Sequence, residues 1–126
     1  MEQKRLGAGM RWLLMACGPM NLGAVAVFAP PFPHLRNMVG LPEARPLYLW
    51  VLMAWLPLFG MGYFWMGWSG KASRAFMAVG GAGKATFAVI LLALWTNGEL
   101  PATAGLVGLP DLVLAGVFAA WLWRTR

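Results

Sequence analysis

Apolar residues run through this chain in four long blocks, about 12–29, 47–66, 75–96 and 102–123, separated by short stretches that hold most of the charged residues. An α-helix rises about 1.5 Å per residue, so each block is long enough to cross roughly 30 Å of hydrocarbon. The pattern predicts an all-α polytopic membrane protein: one domain over residues 1–126, with four transmembrane helices in an up-down bundle. The fourth block must start near Ala102, because the cleaner run after Asp111 is too short to span alone. Pro110 and Asp111 then fall inside a span.

Several residues interrupt these blocks. Pro19 should bend the first span beside Asn21, and Pro57 with Gly60 and Gly62 should kink the second. Gly80, Gly81 and Gly83 suggest a glycine-rich turn opening the third span ahead of Lys84. The connection over residues 30–46 carries Pro30, Pro31, Pro33, Pro42 and Pro46, which forbid one continuous helix but leave room for a short interfacial turn over 34–40. Lys4 and Arg5 before the first block resemble the start of a signal peptide. The length of the run, and an exit through Pro30, Pro31 and Pro33 in place of small residues, favour a retained span.

Composition agrees with the pattern: 60% of the residues are apolar and 11% charged. A water-soluble domain of this size would lack the polar residues to cover its core. The formal charge of +6 is spread over loops and ends with no basic stripe, which argues against nucleic acid. Lys4, Arg5, Arg11, Lys71, Arg74, Arg124 and Arg126 can share one side, facing only Arg36 and Arg45 on the other. The positive-inside rule then places both termini in the cytoplasm of a bacterial inner membrane. Trp12, Trp65, Trp68, Trp121 and Trp123 fit one aromatic belt and Trp50 and Trp95 the other, with Trp55 left at mid-span. Arg11, Lys71 and Arg74 are placed to meet lipid headgroups.

The candidate chemistry lies with Lys84 and Asp111, two opposite charges at similar depth on spans joined by a short connection. A charge at the bilayer centre costs about 2.5–3.5 kcal/mol on insertion scales, so the two should pair, either as a functional polar site or as a static lock. Asn21, Gly80, Gly81, Ala85 and Thr86 are candidates for a cavity or helix contact around them; Gly81 and Ala85 have small-xxx-small spacing. A phosphate loop at Gly83-Lys84 is disfavoured by Ala78 and Ala85, where glycine and Ser or Thr would be needed. The single histidine, His34, lies in a loop, the methionines form no copper motif, Cys17 stands alone, and Ser69 and Ser73 lack a histidine nearby. No cofactor, metal or enzymatic activity is therefore expected. Arg36, Glu43 and Arg45 read as an ordinary surface loop, with an outer docking patch as the alternative.

From Leu56 onward, Leu-Pro-Leu-Phe-Gly-Met-Gly-Tyr, a basic turn, Gly83-Lys84 with Phe87, Gly98-Glu99-Leu100-Pro101 and Asp111 with Phe118 resemble small uncharacterised bacterial four-helix membrane proteins. The layout is loosely similar to DoxX-like proteins. That resemblance implies no assigned activity and marks Lys84 and Asp111 as the polar positions of interest. The expected role is an accessory or assembly subunit packed in the lipid bilayer against other membrane protein subunits. The alternative is a homodimeric small-molecule or ion transporter or channel that uses the Lys84–Asp111 pair.

Overall fold

A computed structural model describes residues 2–126. In chain order it contains β1 (Gln3–Arg5), α1 (Ala8–Phe28), α2 (Pro33–Met38), α3 (Pro46–Ser69), β2 (Lys71–Ser73), α4 (Arg74–Thr96), α5 (Ala102–Val107) and α6 (Leu109–Arg124). Four segments, Ala8–Phe28, Pro46–Ser69, Arg74–Thr96 and Ala102–Arg124, are long and apolar enough to cross a membrane. The chain is thus an all-α, multi-pass membrane protein, as its hydropathy predicts. It forms two compact units, residues 2–38 with 43–73 and residues 39–42 with 74–126.

The first unit is an antiparallel hairpin of α1 and α3 that packs along a seam of small residues. A Cβ added at Gly18 would sit 3.2 Å from Phe64 Cβ, and one at Gly60 would sit 3.1 Å from Asn21 Cβ. Gly67 is tighter still: its Cβ would lie 2.5 Å from the Arg11 carbonyl oxygen and 2.8 Å from the Met15 nitrogen. In lipid, tails solvate apolar side chains as well as a neighbouring helix does, so close backbone approach is what favours association. Pro19 and Pro57 lie inside continuous helices, and both helices exceed the expected bounds, α1 at its start and α3 at its end.

The turn after α3 rests on Gly70, whose φ of +71° closes the helix with a bond from its N–H to the Met66 carbonyl at 3.0 Å. That reversal brings residues 71–73 alongside the N-terminus, where β1 and β2 pair antiparallel with Lys4 opposite Ala72. The hydropathy pattern does not predict this ribbon; it would assign the segment to a plain basic turn. The α2 turn packs against α1, within the stretch expected to hold a short interfacial turn.

In the second unit α4 runs antiparallel to α5 and α6. The expected glycine-rich turn at Gly80, Gly81 and Gly83 is absent, and α4 passes through all three without interruption. Backbone groups in hydrocarbon have no water to bond to, so the helical ladder persists through residues that would weaken it in water. Gly81 is used for contact, since its Cβ would meet Phe118 Cβ at 3.3 Å. The break falls in the fourth span, between α5 and α6 at Gly108. Two residues later Pro110 has no N–H to return to the preceding turn. Gly105 and Gly108 let this broken segment lie close to the Trp95 ring and the Ala88 backbone.

Candidate functional site

The buried face of α4 consists of Met77, the adjacent Gly80 and Gly81, Lys84, Ala88 and Leu91, which recur every three or four residues as one helical stripe requires. Lys84 is the only charge on it. Its Nζ donates to Asp111 Oδ1 at 2.5 Å, with the lysine side chain 8% and the aspartate 20% exposed. Asp111 stands in the first turn of α6, where the unpaired N–H groups of a helix start favour a carboxylate. The break at Gly108 creates that start, so the irregular backbone and the buried carboxylate belong to one arrangement. The other ion pair among the described residues, Lys4 with Glu2, lies outside the spans.

The first unit contains a neutral counterpart. Asn21 is buried on α1, and its Nδ2 donates to the Leu56 carbonyl of α3 at 3.0 Å, just before Pro57. The correspondence extends along both hairpins. Arg11, Leu14, Cys17, Gly18 and Asn21 on α1 stand at one constant offset from Arg74, Met77, Gly80, Gly81 and Lys84 on α4. With the exception of the arginines, every one of these residues is buried. On the returning helices a second constant offset matches Leu56 with Asp111, Gly60 with Ala115, the buried aromatics Tyr63 with Phe118, and the helix caps Gly70 with Thr125.

Bonding at the ends is matched too. Arg11 Nε donates to the Gly67 carbonyl and its Nη2 to the Trp68 carbonyl, each at 3.1 Å. Arg74 Nη2 donates to the Leu122 carbonyl at 3.1 Å, and its Nη1 to the carbonyl and hydroxyl oxygens of Thr125 at 2.8 and 2.6 Å. Each guanidinium thereby covers otherwise unbonded carbonyls at the negative end of the helix that returns beside it. The two hairpins repeat one design: two antiparallel helical arms, the second unit's returning arm broken into α5 and α6, with an arginine clamp at the end and a polar cross-link in the middle. The cross-link is an amide to a carbonyl in the first copy and an ammonium to a carboxylate in the second.

Of the other expected contact residues, Gly80 is buried and Ala85 half-buried beside the α4 seam, whereas Thr86 points outward and is exposed. Thr86 therefore does not line a helix contact, because it falls two positions beyond Lys84 on the opposite face. Lys71 is an exposed strand residue, and Arg11 and Arg74, expected at lipid headgroups, have backbone carbonyls as their partners. Residues Arg74, Ala78, Ala119, Leu122, Trp123 and Arg126 line a shallow groove of about 490 Å³, where the Arg126 guanidinium lies 3.5 Å over the Trp123 ring. No group of three metal-binding side chains occurs among the described residues.

Sequence reasoning missed the repeat because only Arg11 with Arg74 and Gly18 with Gly81 are identical among the five matched positions of the leading helices. It also assigned Arg36 to an open loop, whereas this residue is buried on α2. No known protein family, curated protein or solved structure matches the chain.

Proposed function

We propose that this protein is a small-molecule or ion transporter of the bacterial inner membrane, working as a homodimer with both termini in the cytoplasm and Lys84 and Asp111 as its polar site. The observation that carries this reading is the contrast between the two cross-links. An asparagine bonded to a carbonyl joins one hairpin, so holding the matching hairpin together does not require charge. Placing an ammonium and a carboxylate at mid-span costs insertion energy that a neutral pair avoids. Parting them would present both charges to a substrate, and the broken helix at Gly108 and Pro110 supplies the irregular backbone found at transporter binding sites. Repeated hairpins are themselves a common plan of membrane transporters. The likeness to small bacterial four-helix membrane proteins, loosely DoxX-like, fits such a chain but assigns no cargo.

The test uses vesicles loaded with a pH-sensitive dye and reconstituted with purified protein, because a proton is the smallest cargo the carboxylate can take. The variants are Asp111→Asn and a double variant, Lys84→Asn with Asp111→Leu, which copies the residues of the first hairpin. An imposed proton gradient should decay about tenfold faster with the native protein than with either variant, while the double variant melts within a few degrees of the native protein. Equal decay in native, variant and protein-free vesicles would end the transport reading.

A second reading, an accessory or assembly subunit of a larger membrane complex, is favoured by α3. It is the least buried of the four spans, and Trp55 is 61% exposed near its middle, away from the interfacial depth that indoles prefer. A partner helix would cover Trp55 better than lipid does. Solubilisation in native nanodiscs tests this: a second protein retained in fixed ratio supports it, and a homogeneous particle rejects it.

A further inference from the structure

Arg36 is 6% exposed, and its Nε and Nη1 lie buried with no hydrogen-bond partner. No described acidic side chain forms an ion pair with it: Glu2 pairs with Lys4 and Asp111 with Lys84, while Glu43 and Glu99 are exposed. A buried guanidinium needs partners for its N–H groups and a counter-charge for the group as a whole. A water molecule could take one N–H but would leave the charge uncompensated.

We propose that Arg36 is the anchor of an oxyanion site that binds a phosphate group. The planar guanidinium has two edges that match paired phosphate oxygens, Nε with Nη2 and Nη1 with Nη2, and each edge contains one of the unbonded nitrogens. Position supports this ligand. The α2 turn follows α1 directly after Pro30 and Pro31, so Arg36 lies beyond the end of a span, in a segment where a headgroup phosphate is a natural partner. Phe32 and Met38 on either side of it are exposed apolar residues, suited to sit among acyl chains while the arginine holds the headgroup. The prolines on both sides fix the turn and reduce the entropy lost on binding. The proposal does not depend on a transport role for Lys84 and Asp111.

The phosphate belongs either to a phospholipid or to a soluble ion, and the experiment distinguishes the two. Native protein, Arg36→Met and Arg36→Lys are purified in a phosphate-free maltoside detergent and melted during titration with phosphatidylglycerol, inorganic phosphate or diacylglycerol. Native protein should be stabilised saturably by phosphatidylglycerol and not by diacylglycerol. A matching response to inorganic phosphate assigns the site to soluble ions, and none assigns it to lipid. Arg36→Lys should bind about tenfold more weakly, having lost the fork, and Arg36→Met should lose the response. Without ligand, Arg36→Met should melt no lower than native protein, because it removes an uncompensated buried charge. An unchanged response in Arg36→Met, no response in native protein, or a lower melting point of ligand-free Arg36→Met would overturn the proposal.

Discussion

Replacing Gly67 by alanine tests whether the first hairpin depends on close backbone contact. The new Cβ would lie 2.5 Å from the Arg11 carbonyl oxygen and 2.8 Å from the Met15 nitrogen, against an ordinary contact distance of at least 3.4 Å. Both obstacles are backbone atoms of α1, so no rotamer change relieves them. The helices must separate by on the order of 0.9 Å, and overpacking of this kind costs about 1–3 kcal/mol. Separation also stretches the bond from Arg11 Nε to the Gly67 carbonyl, now 3.1 Å, and weakening a charged hydrogen bond adds about 1–2 kcal/mol. Gly18→Ala meets Phe64 Cβ at 3.2 Å and the Gly60 carbonyl oxygen at 3.3 Å, and should cost about 1 kcal/mol. Gly23→Ala, with nothing within 4 Å, should be close to neutral, because the Cβ meets no neighbour and the helix gains little from alanine in hydrocarbon. Cys17, the chain's only cysteine, is 2% exposed on the same seam, so its labelling by a membrane-permeant maleimide during a temperature ramp reports opening of this hairpin. Gly67→Ala should expose Cys17 roughly 10 °C below native protein, with Gly18→Ala between the two. If Gly67→Ala and Gly23→Ala labelled at the same temperature, the close-contact account of the seam would be wrong.

Three further substitutions probe the repeat. Arg11→Met and Arg74→Met each remove a clamp on a returning helix and should lower stability by about 1–3 kcal/mol in thermal melts. Cys17 labelling should advance more with Arg11→Met than with Arg74→Met, and an equal advance would show that the two hairpins do not open separately. Asn21→Leu removes one interhelical bond and should cost about 0.6 kcal/mol, with roughly 1.7 as the ceiling; a loss well above that ceiling in chemical or thermal unfolding would mean that Asn21 does more than cross-link α1 to α3.

The sequence makes the four spans legible because lipid demands one simple property, a long apolar helix, and supplies no competing partners for the backbone. Lys84 and Asp111 stand out for the same reason, since charges inside such stretches are rare. Features set by backbone geometry do not stand out. The ribbon depends on the left-handed turn at Gly70, and its three-residue strands are too short for alternation to be read from sequence. The continuous α4 contradicts the expectation of a turn because glycine weakens a helix in water far more than in hydrocarbon. The bend instead appears at Gly108 and Pro110, where the missing N–H interrupts the ladder. Arg36 reads as a loop residue because sequence gives its charge but not its burial. The repeat is carried by residue size and backbone bonds, and few letters record it.

Pairing between β1 and β2 joins residues 3–5 to residues 71–73, which lie on either side of the first two spans. During synthesis these strands can meet only after the ribosome has delivered both crossings and the nascent chain has returned to its starting face. A hairpin that stalled halfway would strand the ribbon's two halves on opposite faces of the bilayer. The ribbon thus ties the start of the first hairpin to its end, and it can form only where both crossings have brought residues 71–73 back to the face that holds residues 3–5.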